Sequence, residues 1–167
     1  ILPDALESLL LMAQIGDPNE RRDRKHTAFF ARVQASFSAA TRRADGVVIA
    51  GRTALVPVFG VINKRAGYFT VVSTDALGAT IDQLTADRQV RNVLMVYDTP
   101  GGSVAGVQEL GEKIRAARDV KKIVGIADPQ AASAGAWLAL QSSEVVVTPS
   151  GQIGSIGVIS MHVDFGK

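Results

Sequence analysis

Cysteine is absent from this chain of 167 residues, and histidine occurs only twice, as His26 and His162. Without a thiol there is no disulfide framework, no thiolate zinc site, no iron–sulfur cluster and no cysteine nucleophile. Two histidines leave no multi-histidine metal centre and few ways to build a histidine-based triad. Charge of one sign is also scarce. Lys and Arg number 18 against 16 Asp and Glu, a surplus of +2, which does not support a nucleic-acid footprint. The basic run Arg21, Arg22, Arg24, Lys25 is broken by Asp23 and reads as a solvated face. No apolar run reaches the roughly 18–20 residues that span a bilayer, so no membrane is expected for this stretch. What remains is 47% hydrophobic and 20% charged, enough for one ordinary core and against global disorder. Covalent catalysis, if present, would have to use Ser, Thr, Lys or a carboxylate.

Two regions differ in pattern. In residues 1–45, Leu6, Leu9, Leu10 and Ala13 recur at helical spacing, and Phe29, Phe30, Val33 and Phe37 form a second such face beyond Gly16-Asp17-Pro18-Asn19. A helical N-terminal arm is expected there. From residue 46 to 167, short β-branched runs alternate with amphipathic stretches. Strands are expected at 47–50, 54–62, 93–97, 123–127, 145–148 and 156–160. Ser73 or Thr74 would cap a helix carrying Leu77, Ile81 and Leu84. Ser103 would cap one carrying Val104, Val107, Leu110 and Ile114, and a third helix would run over 133–141. Alternation of strand and helix predicts an α/β fold with a mostly parallel sheet built of βαβ units. Sites in such sheets form where strands end and helices begin.

Three segments at such ends carry candidate chemistry. Tyr97-Asp-Thr-Pro-Gly-Gly-Ser103 joins a buried strand to a helix, and Gly101-Gly102 lets backbone N–H groups approach an anion or oxyanion. It lacks the spacing of a dinucleotide loop, and Glu112-Lys113 stands where a phosphate loop needs Lys followed by Ser or Thr. Ala131-Ala-Ser-Ala-Gly-Ala-Trp137 sets one hydroxyl, Ser133, among residues too small to cover it, at the start of a helix. Pro149-Ser-Gly-Gln-Ile-Gly-Ser-Ile-Gly-Val158 places Ser155 among glycines. Each has a structural alternative: a tight turn, a helix N-cap at Ser133, a close-packed backbone around Ser155. On consecutive parallel strands, the first two turns should converge on one edge of the sheet.

Taken in order, Asp98-Thr-Pro-Gly-Gly-Ser103, Ala132-Ser-Ala-Gly-Ala-Trp137 and Gly154-Ser-Ile-Gly-Val158 resemble the signature of the S49 peptidases, over about residues 50–163. That family holds signal peptide peptidase A and the prohead proteases of tailed phages, and its fold is related to Clp protease and crotonase. The resemblance implies Ser133 as nucleophile and the Ala134 N–H with an N–H of Gly101 or Gly102 as oxyanion hole. It implies Ser155 as the residue that orients the general base. The base in that family is a lysine, which a desolvating site deprotonates near neutral pH. It lies several tens of residues beyond the last motif. Lys167 is too close to that motif to match, and Lys64, Lys113, Lys121 and Lys122 read as surface residues. From its start at Ile1 and its strand-like end at His162–Lys167, the chain is expected to be a piece of a longer protein, C-terminally truncated, holding nucleophile and oxyanion hole without the base. A triad of Ser133 with His162 and Asp164 is the weaker alternative, because these two share a face of an extended segment.

The resemblance implies a serine endopeptidase with a Ser/Lys dyad, without metal or cofactor. Its partners would be an extended peptide or protein substrate, scaffold or capsid precursors in the phage type, and further copies in a homo-oligomer. It would work in the host cytoplasm or the immature head. Alternatives are a cytoplasmic protease like signal peptide peptidase, a non-catalytic assembly or scaffold module, and a crotonase-type acyl-CoA enzyme, which would not need a serine at 133.

Overall fold

A computed structural model of the chain describes Ala31 and residues 40–65 and 72–159. Seven strands form the main sheet in the order β1 (Thr41–Arg42), β2 (Val48–Ala50), β3 (Thr53–Phe59), β6 (Asn92–Thr99), β7 (Lys122–Ala132) and β8 (Glu144–Val147), with β9 (Gln152–Gly154) also paired to β7. Strands β1 to β3 are antiparallel neighbours, and β3, β6, β7, β8 and β9 pair in parallel. A short second sheet joins β4 (Ile62–Asn63) to β5 (Val72–Ser73). Helices α1 (Thr74–Ala86), α2 (Val107–Ala117) and α3 (Ala134–Ala139) follow β5, β6 and β7.

The central strand explains the layering. In β6 every residue after Asn92 is buried, the continuous apolar run of a strand covered on both sides. Its alternate residues Val93, Met95 and Tyr97 join Ala54, Val56, Val58 and Ile123 in a cluster with Leu77, Ile81 and Leu84 of α1, Leu110 and Ile114 of α2, and Leu138 of α3. Leu94 and Val96 point the other way, with Val48, Leu55, Phe59, Val124 and Ile126. Each such Leu, Ile or Val stabilises the fold by about 1.5–3 kcal/mol. Ser73 caps α1, its Oγ accepting from Ala76 N at 3.2 Å.

The expected mostly parallel α/β fold is present, with local differences that have physical causes. The run expected over 54–62 breaks at Gly60, whose φ of 91° bends the chain between β3 and β4. Helix α2 begins at Val107 with Gly106 as its N-cap, because Ser103 Oγ accepts from Ala105 N and closes a local turn instead. Val104 is therefore exposed and lies outside the helix. Strand β7 runs past 127 to Ala132 through a bulge at Asp128–Pro129, so that Asp98 pairs with Gln130. The last expected strand is displaced. Pairing with β7 occurs over 152–154, and positive φ at Gly154 and Ser155 then turns the chain, leaving 155–159 exposed and irregular. Within the expected arm, Thr41–Arg42 is a strand of the sheet, and apart from Ala31 residues 1–39 lie outside the described residues, as do His162, Asp164 and Lys167.

Candidate active site

The parallel pairing of β6 and β7 brings their C-terminal ends side by side, as the two turn motifs require. At the end of β6, Thr99 is fully buried, and its Oγ1 donates to Gly60 O at 2.6 Å while accepting from Gly101 N at 3.0 Å. Gly101 O then accepts from Ile62 N at 2.9 Å, and Ile62 O from Ser103 N at 2.8 Å. A trans peptide unit points its C=O and N–H in opposite directions. With Gly101 O turned toward Ile62, the Gly102 N–H of the same unit faces the β7 side.

That side holds Ser133. A Cβ on Gly101 would lie 2.7 Å from Ser133 Cβ and 3.0 Å from Ala134 N, and Gly101 has φ of 93°, so space and backbone both demand glycine. A Cβ on Gly102 would lie 1.9 Å from Ile62 O. The Gly101 N–H is thus committed to Thr99. Of the two candidate glycine donors, only the Gly102 N–H stays without a partner among the described residues.

Ser133 stands in the N-cap position of α3 but does not cap it. Its φ, ψ of 52°, −117° lie outside the ordinary regions for an L-residue, at a cost of about 1–3 kcal/mol, and its side chain makes no capping bond. Its backbone is fixed from two sides, since Ser133 N donates to Gly154 O at 2.8 Å and Trp137 N to Ser133 O at 3.0 Å. The half-buried hydroxyl has no hydrogen-bond partner among the described residues, and the Ala134 N–H beside it has none either. A strained strand-to-helix turn that presents a free hydroxyl next to unpaired N–H groups is chemically able to serve as a nucleophile beside an oxyanion hole. Ser155 follows directly on the carbonyl that holds Ser133 N, is exposed, and also has positive φ, 55°.

Burial at the bulge pushes the Asp128 carboxyl above its ordinary range, the negative charge of Asp98 adds to this, and the Thr148 hydroxyl, 3.3 Å away, opposes it. Neither Thr99 nor Asp128 stood out in the sequence. Thr99 reads as part of the turn after a strand expected to end at 97, whereas it is the last residue of β6 with its side chain fully buried. Asp128-Pro129 looks like the end of a strand that in fact bulges and continues. No group of three or more His, Asp or Glu residues that could hold a metal occurs among the described residues. None of the described helices is long and apolar enough to cross a membrane.

The parallel sheet, the helices on one face and the paired turns define a Clp protease/crotonase-like domain of the S49 peptidase type. The domain family described as NfeD1b, N-terminal domain, matches residues 76–164, and the chain belongs to that family. It is 32% identical over 129 residues to capsid assembly protease C of Escherichia phage lambda, covering 75% of this chain and 29% of that protein. It is 35% identical over 116 residues to head-tail preconnector protein GP5 of Enterobacteria phage P21, covering 67% of this chain and 23% of that protein. The chain thus spans less than a third of either relative. Among solved structures, a lysine-to-alanine mutant of the 1510-N membrane-bound stomatin-specific protease in complex with a substrate peptide matches with a TM-score of 0.53 at 22% identity, over 68% of this chain and 48% of that one. An enoyl-CoA hydratase from Polaromonas sp. JS666 matches with a TM-score of 0.51 at 16% identity, over 63% and 48%. At these identities both matches describe the fold alone.

Proposed function

We propose that this chain supplies the nucleophile and oxyanion hole of a serine endopeptidase of the phage capsid-maturation type. The observation that carries the reading is Ser133 itself, strained, uncapped and packed on Gly101. Ser133 Oγ attacks the scissile carbonyl carbon and loses its proton to a lysine amine, while Gly102 N–H and Ala134 N–H hold the oxyanion. Collapse of the tetrahedral intermediate expels the new amine, which takes that proton, and water then releases the acyl group. Ser155 orients the lysine. Lys64 faces Glu109, Lys113 pairs with Asp82, Lys121 binds the carbonyls of Asp87 and Val90, and Lys122 pairs with Glu144. The general base is therefore assigned to a lysine outside the described residues.

The names of the two phage relatives support scaffold or capsid precursors as substrates, met in the host cytoplasm or the immature head. Exposed Ile153 in β9 and exposed Ile156, Val158 and Ile159 in the segment after it support a homo-oligomer. The experiment is cleavage of a precursor by the full-length protein, with Ser133→Ala alongside. Loss of cleavage with assembly intact supports the peptidase reading, and unchanged cleavage refutes it. If neither form cleaves and both assemble, the domain is an assembly module instead.

A further inference from the structure

Resting on the reading of Ser133 as nucleophile, we propose that Thr99 is the positioning residue of the oxyanion hole. The hole needs the Gly102 N–H on the Ser133 side, and that direction is set by the two peptide units flanking Gly101. Ile62 N holds the second unit through Gly101 O. Thr99 holds the first, since its Oγ1 is the acceptor of the Gly101 N–H. The same oxygen gives its single proton to Gly60 O, tying the end of β3 to the end of β6. The methyl of Thr99 has a separate contact. It occupies the space where a Cβ on Gly135 would lie, 2.3 Å from Thr99 Cγ2, so the first turn of α3 packs directly on it. One side chain, with no exposed surface, thereby links the three backbone segments that meet at the site.

Valine has the shape of threonine without its hydroxyl, and serine has the hydroxyl without the methyl, so the two substitutions separate the tether from the packing. The experiment compares Thr99→Val and Thr99→Ser with the parent in the full-length protein. Three quantities are read: amide hydrogen exchange at Gly101, the rate at which a fluorophosphonate labels Ser133, and kcat and KM for a peptide. The proposal expects faster Gly101 exchange in Thr99→Val, with labelling and kcat reduced roughly 10²-fold, the effect of losing or displacing one oxyanion donor, and KM little changed. Thr99→Ser should retain most of the parent's labelling rate and its slow Gly101 exchange. Unchanged exchange in Thr99→Val would overturn the tether. Faster exchange with an undiminished labelling rate would overturn the positioning role, as would equal losses in the two variants. A parent that is not labelled at Ser133 would instead refute the nucleophile reading on which the proposal rests.

Discussion

Among the described residues, two serines stand at helix N-termini, and they do opposite things. Ser73 has φ, ψ of −100°, 125° and its Oγ accepts from the Ala76 N–H, satisfying one of the four donors that a helix start leaves unpaired. Ser133 occupies the same position on α3, yet its φ of 52° turns the side chain out of capping reach. The difference comes from the neighbours. Ser73 donates its hydroxyl to Lys64 O, pairs with Asn63 in the short β4–β5 sheet and keeps an extended backbone. Ser133 is wedged between Gly154 O on its N–H side and the Cα of Gly101 against its Cβ. A cap lowers the energy of its helix. Ser133 leaves its helix uncapped and accepts backbone strain, and what it gains is an unengaged hydroxyl beside unpaired N–H groups.

The contrast breaks first at catalysis. Ser133→Ala should lower kcat at least about 10³-fold, while Ser73→Ala leaves it near the parent value; steady-state peptide cleavage measures both. Gly101→Ala should come next. A Cβ 2.7 Å from Ser133 Cβ, on a residue with φ of 93°, should cost about 2 kcal/mol of stability and most of the activity, read by urea unfolding and by the same assay. Glycine substitution should sharpen the comparison by sign. Ser133→Gly relieves the unfavourable backbone and should stabilise the fold by about 1 kcal/mol while abolishing activity. Ser73→Gly should destabilise by only a few tenths, and Ser73→Ala by about 1 kcal/mol. If Ser133→Gly destabilises as much as Ser73→Ala, the strain assigned to Ser133 is wrong.

The smallest expected effect is a pH dependence at the β7 bulge. The Asp128 carboxyl is raised by burial and by Asp98, so the native state holds its proton more tightly than the unfolded chain does. Its ionised form therefore weakens the fold at neutral pH, and that penalty fades as pH falls through the raised value toward the ordinary carboxylate range. Asp128→Asn should raise Tm slightly at pH 7, and the gain should shrink on acidification across that window. A gain that grows as pH falls would reverse the assignment.

Much of the arrangement was legible because it rests on local chemistry. The continuous apolar run of β6, the Ser73 cap with Leu77, Ile81 and Leu84 behind it, and the two strand-to-helix turns on consecutive parallel strands are all readable from residue order. What was not legible depends on contacts distant in sequence. Ser103, expected to cap the second helix, closes a local turn instead, because its Oγ accepts from Ala105 N and the helix starts three residues later behind Gly106. The strand expected over 156–160 is lost because Gly154 and Ser155 turn away after Gly154 O has bound Ser133 N. The choice between Gly101 and Gly102 as the proposed oxyanion donor needed the Thr99 bond, which links residues two apart through a side chain whose direction the residue order leaves open. The backbone of Ser133 was hidden for the same reason, since serine at a helix start ordinarily means a cap.

The central claim is that Ser133 is a nucleophile and not a cap. Intact-mass and peptide mass spectrometry of the full-length protein after fluorophosphonate treatment tests it most directly. The account predicts one adduct, located on Ser133 and absent from Ser133→Ala. An unlabelled protein, or an adduct that persists in Ser133→Ala, would contradict it.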